Sequence, residues 1–401
     1  MPGSELFGKE EIVEVVKVLD RGILHRYASE QSLGISAVRE FERKFAEYMG
    51  AKHALAVMSG TAALKVVLAA LGIGPGDEVI TTCYTFVATP EAILDAGAIP
   101  VLVNIDSTLN IDPEEVERNI TERTKAIIAV HMTGVQARID LLKEIADKHE
   151  LYLIEDNAQA CGASFKGKKL GTFGHFGTFS FDFYKPITTG EGGMILTDDD
   201  KLFFKADCYH DHGHVHDMSI PRALEKCYCL GFNYRMNEIQ GALGLAQISK
   251  MDEVIRRQKE NKAYIKGGIS DIKGISFREI PDPDGEIAST LTVFLPSKEK
   301  ALAFKESLSK RGVSVDHLGS NRWHFAPNWE HLREWKSLLA RRCPFECRFN
   351  DASRADYSPE KYARSAEILN RALTLGIGVK MGKDLLEKII SAYREAAREV
   401  L

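Results

Sequence analysis

The chain has no long hydrophobic run. Among its 401 residues, no window of about 18 is free of polar side chains, and a membrane-spanning helix needs about 20 mostly apolar residues. The N-terminal residues also lack the basic segment followed by an apolar one that a secretory signal carries. These absences predict a soluble, cytoplasmic protein.

Cysteine is scarce and irregularly placed. The chain has seven cysteines, an odd number. The close pairs Cys227/Cys229 and Cys343/Cys347 lack the matching second pair that a zinc site would need. We therefore expect reduced thiols. Basic residues do not form runs or alternate with aromatic residues, and the formal net charge is −5, so we do not expect nucleic acid as a partner.

The first half of the chain does contain a strong pattern, in which short apolar segments alternate with helix-length segments. This is typical of βα units around a largely parallel sheet with helices on both faces. The connection between the last two strands has no helical pattern, so we expect the last strand to run antiparallel to its neighbours and the sheet to be mixed. The predicted strands are 54–58, 78–82, 100–105, 126–131, 151–155, 177–181 and 193–197.

The second half predicts a smaller α+β domain. An apolar helix at 236–251 is followed by a highly charged segment, which favours a boundary near residue 250. We predict a large domain over 1–250, in which residues 1–30 cover the functional site, and a small domain over 251–401. The predicted elements of the small domain are a strand at 291–295 and helices at 299–311, 361–371 and 383–400.

One lysine lies in a predicted loop after the strand at 177–181. Pro186 disfavours a helix at Lys185, and the glycine-rich segment 190–193 allows another group to approach the backbone closely. A loop amine in such surroundings suits a Schiff base with a phosphate-bearing cofactor. The alternative is an ordinary solvated lysine on the surface.

Three other strand ends carry groups of complementary chemistry. The segment 59–63 follows a strand and opens a helix, where backbone N–H groups bind phosphate or merely cap the helix. Phe86 offers a face to a flat heterocycle or belongs to the core. Asp156 either caps a helix or pairs with a cation such as a protonated pyridine nitrogen. Since the carboxyl ends of the strands meet at one edge, these groups together with Lys185 and Ser180 predict a pyridoxal-phosphate pocket.

Four motifs make the chain similar to the DegT/DnrJ/StrS family of sugar aminotransferases. They are Ser-Gly-Thr-Ala-Ala-Leu at 59–64, Glu-Asp-Asn-Ala-Gln at 155–159, Ser-Phe through Gly-Glu-Gly-Gly at 180–193, and Gly-Phe-Asn-Tyr-Arg-Met at 231–236. The resemblance implies a pyridoxal-phosphate aminotransferase of fold type I: an α/β protein with a mixed, mostly parallel seven-stranded sheet and a smaller C-terminal α+β domain. It also implies a homodimer with shared active sites.

The resemblance implies a role for each matching residue. Lys185 forms the Schiff base and moves protons, Asp156 pairs with the pyridine nitrogen, Gln159 lies near the ring hydroxyl, and Phe86 stacks on the ring. Some relatives carry histidine at the lysine position and dehydrate sugars, so a lysine favours transamination. The remaining implied cofactor-binding residues are Gly60, Thr61, Ala62, Ser180 and the partner subunit's Asn233.

The C-terminal half departs from the pattern of family members that act on nucleotide-linked sugars. Segments 321–329 and 373–380, with 1–8, 211–214 and 277–285, resemble the branch that makes 8-amino-3,8-dideoxy-manno-octulosonate, a lipopolysaccharide sugar. This implies L-glutamate as amino donor and a C8 aldehyde as acceptor. Two alternatives are an aminotransferase for a nucleotide-diphospho-ketosugar and a non-catalytic regulator that binds the cofactor.

A sugar acid carries a carboxylate, for which an arginine fork is a natural partner. An arginine among aromatic residues is also a common structural cation–π contact, and a histidine at a strand end is often structural. We expect no metal at the histidine-rich segment 210–216, because alternating histidines on a strand would face opposite sides. The residues that we expect near the substrate are Arg26, Tyr27, His131, His212 and Arg322.

Overall fold

The computed structural model describes residues 2–217, 219–339 and 342–401. It contains thirteen strands in three sheets. In chain order they are β1 (His53–Val57), β2 (Glu78–Thr82), β3 (Ile99–Val103), β4 (Thr124–Val130), β5 (Tyr152–Asp156), β6 (Ser164–Phe165), β7 (Lys168–Lys169), β8 (Phe176–Ser180), β9 (Gly193–Thr197), β10 (Ser276–Phe277), β11 (Thr290–Phe294), β12 (Asp316–His317) and β13 (Ala372–Gly376).

Helices separate most of the strands. None in the described part of the chain is both long and apolar enough to cross a bilayer. The α-helices are α1 (Pro2–Glu5), α2 (Lys9–Arg21), α3 (Arg26–Leu33), α4 (Ala37–Met49), α5 (Gly60–Ala70), α6 (Ala88–Asp95), α7 (Pro113–Asn119), α8 (Ile139–Lys148), α9 (Asp200–His210), α10 (Glu238–Ile248), α11 (Met251–Ile269), α12 (Lys298–Lys310), α13 (Glu330–Arg333), α14 (Ala363–Asn370) and α15 (Lys383–Val400).

The large sheet has seven strands in the order β1-β9-β8-β5-β4-β2-β3. Strand β9 is antiparallel to both of its neighbours, and the other pairs are parallel. The mixed, mostly parallel sheet predicted from the sequence is therefore confirmed, including its antiparallel last strand. The reason is the short helix-free connection after β8, which cannot cross back over the sheet.

This topology places six carboxyl ends at one edge of the sheet. Because β9 is antiparallel to both β1 and β8, these two strands run in the same direction as β5, β4, β2 and β3. The loops after β1, β2, β5 and β8 therefore meet at that edge, where ligands of open α/β sheets bind.

The second sheet forms the framework of the small α+β part. Its four strands, in the order β10-β11-β13-β12, are all antiparallel. Helices α11, α12 and α15 contribute Ile265, Phe304 and Tyr393 to its apolar core. Trp329 and many other residues between positions 318 and 372 pack instead in an apolar cluster built on the large sheet. The predicted boundary at residue 250 falls immediately before α11.

Aromatic packing joins helix α4 to the large sheet. Phe45 is fully buried, and its ring centroid lies 5.0 Å from that of Phe179 and 5.5 Å from that of Phe181, in edge-to-face geometry. Phe179 lies near the end of β8, six positions before Lys185, and lines the cavity described below, so this cluster supports the site from beneath.

We predict that Phe45→Ala lowers the free energy of unfolding by about 3–5 kcal/mol, because it removes a fully buried ring and leaves a cavity. Urea denaturation at one fixed protein concentration would measure the loss. Leu385→Ala is the control: Leu385 is 44% exposed on α15, so this change is expected to stay within about 0.5 kcal/mol. Equal losses for both variants would contradict the prediction.

Candidate active site

A cavity of about 880 Å³ opens where the carboxyl ends of the parallel strands meet. The loops after β1, β2, β5 and β8 form much of its lining, together with residues of the second sheet and of the segment 323–324. Sequence reasoning selected seven of the lining residues: Gly60, Thr61, Phe86, Asp156, Gln159, Ser180 and Lys185.

The start of α5 provides an anion-binding surface. Ser59 caps the helix and its Oγ accepts the Ala62 N–H at 3.1 Å, which leaves the N–H groups of Gly60 and Thr61 without intrahelical acceptors. A Cβ on Gly60 would lie 2.7 Å from the Cβ of Ser180, so only glycine lets these two chain segments approach. Backbone donors, the helix dipole and the Ser180 hydroxyl suit a phosphate.

Asp156 is a buried carboxylate without a cationic partner. The strand register places it between Val130 on β4 and Thr178 on β8, and all three line the cavity. Its oxygens accept hydrogen bonds from Thr89 Oγ1 at 3.0 Å and Ala158 N–H at 3.1 Å. Among the described residues no lysine, arginine or histidine pairs with it, and burial raises its pKa above the usual value despite these two donors. A protonated ring nitrogen would supply the missing cation.

Gln159 presents its amide to the same cavity. Its Oε1 accepts the N–H of Thr133 at 2.9 Å. That bond fixes the orientation of the amide and leaves its NH₂ group to donate to a ligand oxygen. The position fits the ring hydroxyl of a pyridoxal cofactor.

Lys185 lines the cavity in the loop after β8. Its backbone N–H donates to the carbonyl of Asp182 at 3.1 Å, and its carbonyl accepts from Gly3 N–H at 3.3 Å, so the N-terminal segment touches this loop. Its amine takes part in no ion pair within the described residues. The amine is therefore available to a carbonyl group in the cavity.

An aromatic rim closes one side of the site. Phe86 is 41% exposed, and its ring lies nearly parallel to that of Trp323 with centroids 6.1 Å apart. The N–H groups of Thr85 and Val87 bond the carbonyls of His324 and Trp323 at 2.9 and 3.1 Å. Burial, followed by the charge of Lys185, lowers the pKa of His324 to about 4. His324 is thus neutral at physiological pH.

The sequence pattern of the DegT/DnrJ/EryC1/StrS aminotransferase family matches residues 7–341. The chain belongs to this family.

Named relatives agree with this assignment. The chain is 32% identical over 405 residues to the spore coat polysaccharide biosynthesis protein SpsC of Bacillus subtilis, with 98% of this chain and 96% of SpsC covered. It is 47% identical over 215 residues to GDP-perosamine synthase of Caulobacter vibrioides, covering 53% of this chain and 57% of that enzyme. The aminotransferase of Psychrobacter cryohalolentis has the same fold, with a TM-score of 0.83, 28% identity and 98% of each chain covered.

The DegT-family chain is thus a pyridoxal-phosphate-dependent aminotransferase. Its own geometry fits the cofactor: the cavity combines anion-binding backbone donors, a buried carboxylate that needs a cation, and a lysine free of ion pairs. These are the partners of a phosphate, a pyridinium and an aldehyde.

Five residues predicted near the substrate lie outside this cavity. Arg26 is 1% exposed and pairs with Glu42 at 2.7 Å. Tyr27 is also buried, where its hydroxyl lies 3.3 Å from His210 Nε2 and 3.2 Å from His216 Nε2. These two histidines and Asp207 place their potential ligand atoms within 4.8 Å of one another, with the Tyr27 hydroxyl bonded to both imidazoles.

The other three have different surroundings. His131 is fully buried beneath the site: its Nδ1 accepts the Ala137 N–H at 3.0 Å and its Nε2 lies 3.3 Å from Glu155. His212 and Arg322 are exposed. Neither is among the residues that line the cavity of this subunit.

Sequence reasoning missed several polar residues of the cavity. Thr133 follows β4, and the rule that selected Asp156 at the end of β5 would have found it. Thr290 and Asp316 come from the second sheet, and Ser289 immediately precedes its strand β11. No local signal marks Asp316, because its strand has two residues and its approach to the site depends on distant contacts.

We predict that Gly60→Ala weakens cofactor binding by on the order of tenfold, because an added Cβ at 2.7 Å from Ser180 forces the start of α5 away from β8, an overpacking that costs about 1–3 kcal/mol. Titration of the cofactor into the apo protein, followed by absorbance, would measure it. Gly267→Ala on α11 is the matched control, since its Cβ would meet no atom within 4 Å. Similar affinities for the two variants would refute the steric argument.

Proposed function

We propose that this enzyme transfers the amino group of L-glutamate to the C8 aldehyde of a 3-deoxy-manno-octulosonate sugar. The product is 8-amino-3,8-dideoxy-manno-octulosonate, a component of lipopolysaccharide made in the cytoplasm. The proposal combines the aminotransferase activity of the family with the sequence segments at 277–285 and 321–329, which resemble the branch that makes this sugar.

The observation that carries the proposal is the charge of the cavity lining. Among the described residues that line the cavity, Lys185 is the one lysine or arginine. Four carboxylates also line the cavity: Asp156, Asp182, Glu191 and Asp316. A diphosphate carries two negative charges and is normally held by several cations. The hydroxyl groups of Ser289 and Thr290 and the carboxylate of Asp316 suit the hydroxyl groups of a free sugar instead.

A nucleotide-diphospho-ketosugar is the second candidate acceptor. The name of GDP-perosamine synthase, 47% identical over about half of this chain, favours it. Cations for a diphosphate would then have to come from the other subunit, because Lys185 is the one lysine or arginine among the described residues that line this cavity.

The residues of this chain divide the catalytic work. When bound, pyridoxal phosphate supplies an aldehyde for amines and a ring that withdraws electrons. Asp156, which pairs with no cation among the described residues, would hold a proton on the ring nitrogen. Gln159 would donate its free NH₂ group to a ring oxygen. Lys185, which lines the cavity, would accept the proton removed from the substrate carbon. Phe86 and Trp323 restrict water at the rim.

We further propose a homodimer with shared active sites. Asn233 is exposed, and among the described residues its Oδ1 accepts one hydrogen bond, from the Arg235 N–H at 3.3 Å. The same loop exposes 90% of Leu230 and 54% of Phe232. A loop with such apolar residues around a polar tip is suited to insertion into a second subunit, where Asn233 would reach the cofactor phosphate.

The acceptor assignment predicts a selective reaction. With L-glutamate as donor, purified enzyme is expected to aminate the C8 aldehyde of 3-deoxy-manno-octulosonate at least about tenfold more efficiently than nucleotide-linked 4-ketosugars, because its lining lacks cations for a diphosphate. Mass spectrometry of the amine product would measure both rates. Preferred amination of a nucleotide sugar would establish the second candidate.

The shared site predicts complementation between inactive variants. Lys185→Ala removes the amine and Asn233→Ala removes the proposed contact with the phosphate of the neighbouring site, so each homodimer is expected to lose most of its activity. Mixed dimers, formed by co-expression with two different tags, contain one site with both residues intact and are expected to regain up to about half of the wild-type rate per dimer. Fully inactive mixed dimers would argue against shared sites.

A further inference from the structure

Behind the cavity lies a buried arginine without a carboxylate partner. Arg278 follows β10 and is 6% exposed. Its Nε donates to the Thr108 carbonyl at 2.6 Å and its Nη1 to Thr133 Oγ1 at 2.5 Å, whereas its buried Nη2 has no partner. None of the ion pairs of the described residues includes it. Burial lowers the pKa of Arg278 to about 10, and a buried cation of this kind calls for a nearby anion.

The acidic side chains whose charges act on Arg278 are paired with other cations. Glu286 pairs with Lys262 at 2.5 Å, and Asp106 accepts from Arg138 at 2.9 Å. Among the described residues Arg278 therefore has no carboxylate of its own, and its hydrogen-bond partner Thr133 lines the cavity.

Thr133 lines the cavity and also contacts the guanidinium of Arg278. Since Thr133 Oγ1 accepts from Arg278, its own proton points away from the guanidinium, and no acceptor among the described residues takes it. The rest of the residue is fixed: its N–H donates to Gln159, and its carbonyl accepts from the hydroxyls of Ser289 and Thr290 at 3.2 and 3.3 Å. The result is a rigidly held donor, strengthened by a neighbouring charge.

We propose that the Thr133 hydroxyl, polarised by Arg278, donates a hydrogen bond to a substrate carboxylate in the cavity. Thr133 is the binding residue, and Arg278 is a positioning residue that acts through it. Two carboxylates have the required chemistry: that of the amino-acid donor and that of a sugar-acid acceptor. The donor case rests on the aminotransferase activity alone, whereas the acceptor case rests on the proposed function.

The decisive variants are Thr133→Val, which keeps the branched shape and removes the hydroxyl, and Thr133→Ser, which keeps the hydroxyl. The holoenzyme is titrated with glutarate, an unreactive dicarboxylate, by calorimetry. Thr133→Val is expected to weaken glutarate binding about tenfold, the loss of one charge-assisted hydrogen bond, and Thr133→Ser to stay within about threefold. Thr133→Val is expected to weaken the binding of the neutral glutaramide less than that of glutarate, because an amide oxygen accepts a weaker hydrogen bond than a carboxylate.

Separate half-reactions identify the source of the carboxylate. Concentration dependences are measured by absorbance for L-glutamate, and for the sugar-acid aldehyde against its carboxyl-reduced form. If Thr133→Val lowers the apparent affinity for L-glutamate without lowering the limiting rate, the carboxylate is that of the amino donor. If it lowers the apparent affinity for the sugar acid but not for its carboxyl-reduced form, the carboxylate is that of the acceptor. If the wild-type enzyme does not aminate the sugar acid, the proposed function is wrong. The glutamate half-reaction and the glutarate titration then still test whether Thr133 binds a substrate carboxylate.

Charge removal tests the role of Arg278. Arg278→Met is expected to reproduce the glutarate defect, and Arg278→Lys to restore part of it. Arg394→Met is the control, because Arg394 pairs with Asp271 at 2.8 Å and touches neither Thr133 nor the acidic groups around Arg278. If Arg278→Met fails to fold, Thr133→Val alone decides. The proposal is overturned if Thr133→Val binds glutarate and carries out both half-reactions within twofold of the wild-type values.

Discussion

The structure of the site depends on one electrostatic constraint, the burial of Asp156 without a cation. Burial raises the pKa of this carboxyl group, so its charged form is unfavourable in the protein alone. A protonated ring nitrogen beside it favours the charged form and reverses the direction of that shift. Asp156 and the cofactor would therefore stabilise each other's charge, and the large sheet holds the carboxylate in place. The register of β4, β5 and β8 fixes its position.

The same principle distinguishes the buried arginines. Arg26 has a carboxylate within 2.7 Å, that of Glu42, and its charge is used within the structure. Among the described residues, Arg278 has a carbonyl and a hydroxyl as partners and no carboxylate. Both side chains are almost completely buried, so exposure does not separate them. The presence or absence of a counter-ion does, and it is the reason for proposing that Arg278, unlike Arg26, acts on a ligand.

Much of this arrangement follows from local sequence. The seven central strands, the antiparallel last strand and the lining positions of Lys185 and Asp156 were predictable, because strand periodicity and helix-opening motifs are short-range signals. The surroundings of Arg26 and Arg278 were not. Arg26 was predicted, with Tyr27, to lie near the substrate in a segment covering the pocket, but its partner Glu42 comes from the next helix. The contact of Arg278 with Thr133 joins residues 145 positions apart, which no local pattern encodes.

The backbone conformation of Thr133 independently supports a role for its hydroxyl. Its φ is +51°, a left-handed conformation that costs a β-branched residue roughly 1–3 kcal/mol. Glycine would adopt it without that cost. The hydrogen bonds of the N–H and carbonyl of Thr133 belong to the backbone and would survive in glycine. What glycine would lose is the hydroxyl that accepts from Arg278, on a residue that lines the cavity. The strain at this position is therefore best explained by a need for that hydroxyl.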